Sequence, residues 1–470
     1  MDRSSQLGQA NIPRLLLGFA LPAIVGMMAQ ALYSLIDRVF VGRALGADAI
    51  AGVAVAFPFT LVVLAFGMMI GIGGTALISI RLGEQKKAEA ERVLGNTAVL
   101  LVIASIFITI LGLVWLDDIL VLFGASAKVL PFAHAYLRII VLGTVFQMIA
   151  FGLNAAIRGE GNPKIAMLSM LISVVLNAIL APIFIFGFSW GMQGAALATV
   201  LSQAATAVWV IAYFLGGASV LRPSLQSLRL HGAICRKILI FGLPHFTMQL
   251  AATVLQSILN HQLGAYGGDL AISVMGILYV MFMMVAMPIF GLNQGAQPII
   301  GYNYGARRFD RVKRTLELAI LAASGFAVIG FAVMMLAPGQ VIQLFDRKDP
   351  ALLSLGIHAI RITTLMLPLV GFQIVSASYF QAIGKPAIAI LLMLSRQVLL
   401  LIPAALILPH FFGLNGVWAA LPASDFAASL LTGICLLVEL RELKESHLEV
   451  QSLENEALSS LPDGSGPIGL

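Results

Sequence analysis

Twelve apolar runs, separated by short clusters of polar and charged residues, account for most of the chain. They lie at about 14–36, 51–80, 93–115, 132–157, 165–187, 194–215, 238–262, 270–302, 315–337, 352–383, 387–408 and 416–438. Each reaches the roughly 20 residues that a helix needs to cross a hydrocarbon core about 30 Å thick. The pattern therefore predicts an all-α, polytopic membrane protein with twelve transmembrane helices. Several runs contain proline, among them Pro22, Pro58, Pro182, Pro244 and Pro298, where a missing backbone donor permits a bend.

The runs repeat. At a shift near 222 residues Phe19-Ala-Leu-Pro22 meets Phe241-Gly-Leu-Pro244, and Gly73 through Gly83 meets Gly295 through Gly305. Further along, Gly161-Asn-Pro163 meets Gly384-Lys-Pro386, and Gly191-Met-Gln-Gly194 meets Gly413-Leu-Asn-Gly416. Each half holds six runs, and an even number gives both halves one orientation, so two six-helix lobes related by pseudo-two-fold symmetry along the membrane normal are expected. The expected boundaries are a cytoplasmic N-terminus at 1–13, an N-lobe at 14–215, a linker at 216–237, a C-lobe at 238–438 and a tail at 439–470, disordered at its end. Arg3, Arg14 and the first apolar run loosely mimic a cleavable signal. Recurrence of that run's Phe-Ala-Leu-Pro in mid-chain argues instead for a retained span.

Composition agrees: 60% of the 470 residues are hydrophobic and 11% charged, with a mean hydropathy of +0.98. That excludes a water-soluble globule. A net charge of +6 does not point to nucleic acid, because the basic residues sit between the runs. Of 28 Lys and Arg, twenty fall in the loops of one side, five on the other, and Arg138, Arg361 and Arg396 within runs. This bias places both termini in the cytoplasm and the chain in a cytoplasmic (inner) cell membrane. Cys235 and Cys435 match no metal or redox spacing, so neither metal nor cofactor is expected. With no phosphate-binding loop, zinc motif or nucleophile elbow, energy has to come from an ion gradient or from nothing.

Asp37, in Tyr33-Ser-Leu-Ile-Asp37-Arg-Val-Phe-Val-Gly42, is the candidate centre. On a helix it shares a face with Tyr33, Ser34 and Gln30. An acid at mid-bilayer costs about 2.5–3.5 kcal/mol on insertion scales, so a retained one faces a bundle interior or a water path unless it lies at the membrane boundary. Ser169, Ser173 and Asn177 step by four along the fifth run, and Thr199, Ser202, Gln203 and Thr206 stripe the sixth. These oxygens are candidates to face Asp37, with helix-to-helix bonding as the plainer role. Gln147 and Asn154 align on the fourth run. The second half has Gln249, Thr253, Gln256 and Asn260 on the seventh run but no acid matching Asp37. Asp425 is its only acid well inside a run, either a second ionisable site or a structural partner for Arg396 or Arg361. Met284 and Met287 belong to a Met-rich stretch suited to bulky, varied ligands.

These residues resemble the multidrug and toxic compound extrusion (MATE) transporters, in particular their MepA-like bacterial branch. The likeness covers about residues 10–440 and rests on the Asp37 motif, Gly71-Ile-Gly-Gly74 with Arg81-Leu-Gly-Glu84, Asn177-Ala-Ile-Leu-Ala-Pro182, Gly194-Ala-Ala-Leu-Ala-Thr199, and Gly295-Ala-Gln-Pro298 to Asn303-Tyr-Gly305. It implies two lobes in a V and export of small organic cations in exchange for protons or Na+. Carried across, the coupling residues are Asp37, Asn177 and Thr199, with Tyr33 beside them; Gln30, Ser34, Gln147, Asn154, Ser173, Gln203, Gln256, Met284, Met287 and Asp425 are candidates for the substrate cavity. Many members carry a second Asp four residues after the Asn, where this chain has Ala181. Sodium seeks about six oxygen ligands, so the expectation leans to protons, taken up by a carboxylate in a dry lobe. A functional monomer in the bilayer, with no catalytic residue, is expected. The rival readings are a flippase for lipid-linked saccharides, whose cavity would be more basic, and a membrane-embedded enzyme, for which the runs supply no convergent acids and histidines.

Overall fold

Every regular element of the described residues is helical in the structure, a computed structural model that describes residues 3–45, 47–343 and 350–459. Side chains at 3–5, 31–39, 42–45, 47–48, 50, 444 and 446–459 lie outside that description. A short α1 (Arg3–Gln9) leads into the first half: α2 (Ile12–Leu45), α3 (Ala47–Gly83), α4 (Lys87–Val114), α5 (Leu116–Leu122), α6 (Leu130–Leu142), α7 (Thr144–Gly159), α8 (Pro163–Pro182) and α9 (Gly191–Leu215). The second half has α10 (Gly232–Gly305), α11 (Phe309–Leu336), α12 (Pro338–Gln343), α13 (Pro350–Thr363), α14 (Leu367–Ala382), α15 (Pro386–Leu394), α16 (Ile402–Phe412) and α17 (Leu414–Ser459). Helix α10 is two spans joined at Gly268, whose φ of 64° and ψ of −166° are not helical. Counting each bent pair below as one span, the described helices make the twelve crossings that the runs predict.

Structure departs from expectation in three places. The fourth and tenth spans are broken, α6 and α7 meeting at 53° and α13 and α14 at 50°. The fifth and eleventh each contain a π-helical segment, Ile183–Gly187 and Ser395–Leu401, the fifth directly after Pro182, which cannot donate to the ladder. Helix α17 runs on to Ser459, so much of the expected tail is helical; residues 460–470, where disorder was expected, lie outside the described residues.

Each helix turns oily side chains outward and small or polar ones inward. On α4, Ile103, Ile106, Phe107, Ile110 and Val114 are exposed, while Asn96, Thr97, Leu101, Ser105 and Gly112 are buried. In lipid nothing apolar is gained by hiding a leucine, so contact between helices falls to small residues that let backbones approach and to hydroxyls that bond across. The same reasoning explains the repeat. A Cβ on Gly73 would meet Ile238 O and the backbone of Gly242, and one on its repeat partner Gly295 would meet Phe19 and Ala20. Likewise Gly83 faces Tyr302 and Ala306, while Gly305 faces Ile80 and Glu84. Each contact and its counterpart exchange roles at a shift of 222, the signature of a two-fold axis between halves. The repeated glycines are where the two halves meet. Backbone conformation repeats as well: Gln85 has φ 60° and Arg307 φ 56°, and Gly191 and Gly413 both have φ 55°.

All these approaches lie toward one end of the bundle, the end carrying Arg14, Arg81, Lys87, Lys164, Lys237 and Arg307. Further from that end Phe66 of α3 meets Phe246 of α10 edge-on, centroids 4.9 Å apart, and Gln294 reaches Met27 Sδ at 3.5 Å. The basic end is also clasped. Asn303 and Arg311 of the second half donate to Leu7 O at 2.9 and 3.2 Å, Arg311 to Ala10 O at 2.7 Å and Arg308 to Gly8 O at 2.6 Å, holding α1.

Candidate functional site in the first half

Helices α2, α8 and α9 build the site that the sequence points to. Asn162 caps α8 by accepting from Ile165 N at 3.4 Å, and Pro163 fills the first turn, where its missing donor is harmless. The helix carries Asn177, 2% exposed, to a point where its Nδ2 donates to Thr199 Oγ1 at 3.1 Å. Thr199 on α9 in turn donates to Ala195 O at 3.1 Å, which fixes its hydroxyl as the acceptor for Asn177.

Helix α2 runs alongside α8. Gly26 lies against Met170, and Phe40 stands edge-on to Phe186 with centroids 6.4 Å apart and planes at 89°. The offset is 144 residues at one end and 146 at the other. Interpolated along the two helices, position 33 is level with position 178 and position 37 with positions 182–183. The side chains of Tyr33, Ser34 and Asp37 lie outside the described residues, and Gln30, on the same helix, is exposed. Ala181 is fully buried. Position 181, where the resemblance implies a second carboxylate in many members, thus lies within half a turn of the height of Asp37 and holds a methyl group.

Toward the basic end the first half contains a column of bonded polar groups. Ser202 donates to Ala198 O at 2.7 Å, and Thr206 to Ser202 O at 3.0 Å and Ser169 O at 3.4 Å. Asn154 donates to Ala166 O at 2.7 Å and to Ser169 Oγ, and Arg158 donates to Asn154 Oδ1. With both ends of its amide engaged by α8 and Arg158, Asn154 belongs to this column and not to an open cavity. In the next turn buried Glu160 accepts from Tyr213 and Ser219 hydroxyls and, at 3.4 Å, from Leu221 N. Burial pushes its carboxyl above the ordinary value, against the pull of the Ser219, Tyr213 and Leu221 donors. Sequence reasoning passed over Glu160 because Arg158-Gly-Glu-Gly-Asn-Pro163 reads as a solvated turn. The signal that marks it is an acid with three donors folding back from residues 213–221.

The other candidates are dispersed. Ser173, Gln203 and Gln147 are half-buried. In the second half Gln256 is exposed and donates to Asn260 Oδ1 at 3.1 Å; Met284 is exposed and Met287 half-buried. Asp425 accepts from Arg396 Nε at 2.5 Å. Of the two roles open to it, the structure shows the partner role with Arg396; Arg361 is exposed. No group of three or more His, Cys, Asp or Glu suited to a metal occurs among the described residues.

Comparison with known proteins settles the family. The MatE family pattern matches residues 22–183 and again 244–407, one match in each half. This chain belongs to the MatE family. It is 29% identical over 423 residues to the multidrug export protein MepA of Staphylococcus haemolyticus, covering 90% of this chain and 93% of that protein, and 27% identical to MepA of Staphylococcus aureus over 425 residues, with the same coverage. Among solved structures, the MATE multidrug transporter DinF-BH is 38% identical, with a TM-score of 0.86 and coverage of 93% of this chain and 97% of that one. An outward-facing multidrug resistance MATE family transporter of the MOP superfamily is 27% identical, with a TM-score of 0.88 and coverage of 93% and 98%.

Proposed function

We propose that this chain is a secondary active multidrug exporter that exchanges organic cations for protons across a cytoplasmic membrane by alternating access, working as a monomer with both termini inside. The observation that carries the reading is the pseudo-symmetric seam. Two helical halves pack through glycines at the basic end, and the bonded Asn177–Thr199 pair lies inside one half beside the helix that bears Asp37. The relatives named as multidrug exporters support the substrate class. With the basic end cytoplasmic, a seam closed there corresponds to the state that receives protons and releases substrate outside.

In this mechanism Asp37 is the proton carrier. Ionised, it attracts a lipophilic cation; protonated from the acidic outer side, it releases the cation and alters its bonding to the α8 and α9 oxygens, which shifts the balance of the two states. Aromatic faces add about 0.5–2 kcal/mol of cation–π attraction. Ala181 supports protons over sodium, because within half a turn of the height of Asp37 a methyl group supplies no oxygen to a hard cation.

The test is export of a fluorescent organic cation from proteoliposomes under a pH gradient and, separately, a sodium gradient. Wild type should export under the pH gradient alone, and Asp37→Asn should lose that response. Export by Asp37→Asn with unchanged pH dependence would refute the coupling role; transport driven by sodium alone would refute the ion.

A further inference from the structure

At the basic end, between the halves, is a cavity of about 210 Å³ lined by Leu77 and Arg81 of α3, Glu89, Arg92 and Val93 of α4, and Ile234 and Lys237 of α10. It is roughly seven times the ~30 Å³ that one water occupies in the liquid. The helical spacing is regular: Leu77 and Arg81 are one turn apart, Glu89, Arg92 and Val93 share a face of α4, and Ile234 and Lys237 share a face of α10. An apolar floor of Leu77, Val93 and Ile234 therefore lies under a charged rim. The transport cycle proposed above uses none of these residues.

The rim is unbalanced. Arg81 is neutralised, with Glu84 Oε2 at 2.5 Å and Glu89 Oε2 at 3.2 Å. Arg92 and Lys237 have no ion-pair partner among the described residues, and both side chains are exposed. Two cations, one from each half, thus share a small cavity with an acid already engaged. Basic pockets between helices at the cytoplasmic surface suit anionic headgroups.

We infer that this cavity is a binding site for a phosphate-bearing anion, held between Arg92 of the first half and Lys237 of the second. An anionic phospholipid of the adjoining leaflet meets both demands, its phosphodiester on the cations and its glycerol and upper acyl chain on Leu77, Val93 and Ile234. Free phosphate meets only the first. Because the walls come from both halves, an occupant favours the arrangement in which the basic end is closed.

The full-length protein is reconstituted in phosphatidylcholine vesicles, alone, with one lipid in three replaced by phosphatidylglycerol, or alone with inorganic phosphate in place of chloride. Thermal unfolding is followed for wild type, for Arg92→Gln/Lys237→Gln, and for Arg229→Gln/Arg236→Gln, which removes the same charge nearby but outside the cavity. Phosphatidylglycerol should raise the wild-type and control midpoints by several degrees and the cavity variant's by less than half as much, with Arg92→Lys/Lys237→Arg restoring the response. The same dependence on Arg92 and Lys237 with inorganic phosphate would assign the site to a free anion. Equal responses of the cavity variant and the control in both arms would overturn the proposal. Should the cavity variant not fold, the single substitutions carry the comparison, and phosphatidylglycerol should slow thiol labelling of Cys235 in wild type, its Sγ lying 3.3 Å from Asn96 Oδ1 of α4.

Discussion

Replacing Asp425 with Asn separates a structural acid from a second coupling site. Asp425 Oδ1 is 2.5 Å from Arg396 Nε, with the acid's side chain 8% exposed and the arginine's 29%. Removing one partner of a buried pair costs about 3–5 kcal/mol, because the other charge stays behind, and an unpaired cation at mid-membrane costs about 2.5–3.5 kcal/mol on insertion scales. Arg396 retains partial access to its surroundings, so the lower part of the first range applies, about 3–4 kcal/mol. At about 1 kcal/mol/K of unfolding entropy for a chain of this length, that corresponds to a fall of about 3–4 °C in unfolding midpoint. Replacing both residues, Arg396→Met with Asp425→Leu, removes the pair without orphaning a charge and should return the midpoint to wild type or above it. Thermal unfolding in nanodiscs measures stability, and pH-driven export in proteoliposomes measures function. A single variant as stable as wild type, or a double variant no better than the single, would refute the assignment. A double variant that regains stability but exports without pH dependence would make Asp425 a coupling group.

Three further outcomes are expected. In a Cys435→Ser background, Gly242→Ala should open the basic end, since its Cβ would land on Met69 O; overpacking costs about 1–3 kcal/mol, and thiol labelling of Cys235 should be several-fold faster, an unchanged rate contradicting the seam. Glu160 has a folded value raised by burial, so the stability it contributes is complete below the unfolded carboxylate value and is lost as pH rises through the folded one. Glu160→Gln should flatten that limb of midpoint against pH, and parallel curves for the two proteins would show that Glu160 does not titrate there. Ala181→Asp places a carboxylate within half a turn of the height of Asp37 and should confer sodium-stimulated export; export indifferent to sodium would show that the register between α2 and α8 does not bring the two positions together.

Much of this architecture was legible because the bilayer leaves so few options. A span must satisfy its own backbone, so length and hydropathy alone locate it, and the repeat at a shift near 222 divides the chain into two halves; that its glycines line the contact between them is seen only in the structure. The Asn177–Thr199 bond was also readable, as small polar residues at four-residue steps on neighbouring runs. What the apolar pattern hides is local geometry. The bends of 53° and 50° in the fourth and tenth spans leave hydropathy untouched: Gly143 separates α6 from α7 with no proline at the break, and Thr364, Leu365 and Met366 separate α13 from α14, whose first turn holds Pro368. The partners of Glu160 come from residues 213–221, more than fifty positions away, a relation that spacing along one helix cannot express.

Symmetry of backbone and asymmetry of chemistry divide the labour between the halves. The seam contacts exchange roles at a shift of 222, so either half presents the other with nearly the same surface, and a rocking motion about the axis leaves both packings equivalent. Buried polar groups do not follow that rule. The first half places a bonded amide and hydroxyl, Asn177 and Thr199, beside the helix carrying Asp37, whereas in the second half the buried Asp425 is bonded to Arg396. A charge satisfied by a fixed partner gives up its proton equilibrium to structure, while an acid without such a partner is free to load and unload. In the proposed cycle the first half is the proton-responsive element and the second the frame it moves against, so an acid placed at position 259, where the repeat matches Asp37 to Leu259, should burden the second half without adding a second coupled ion.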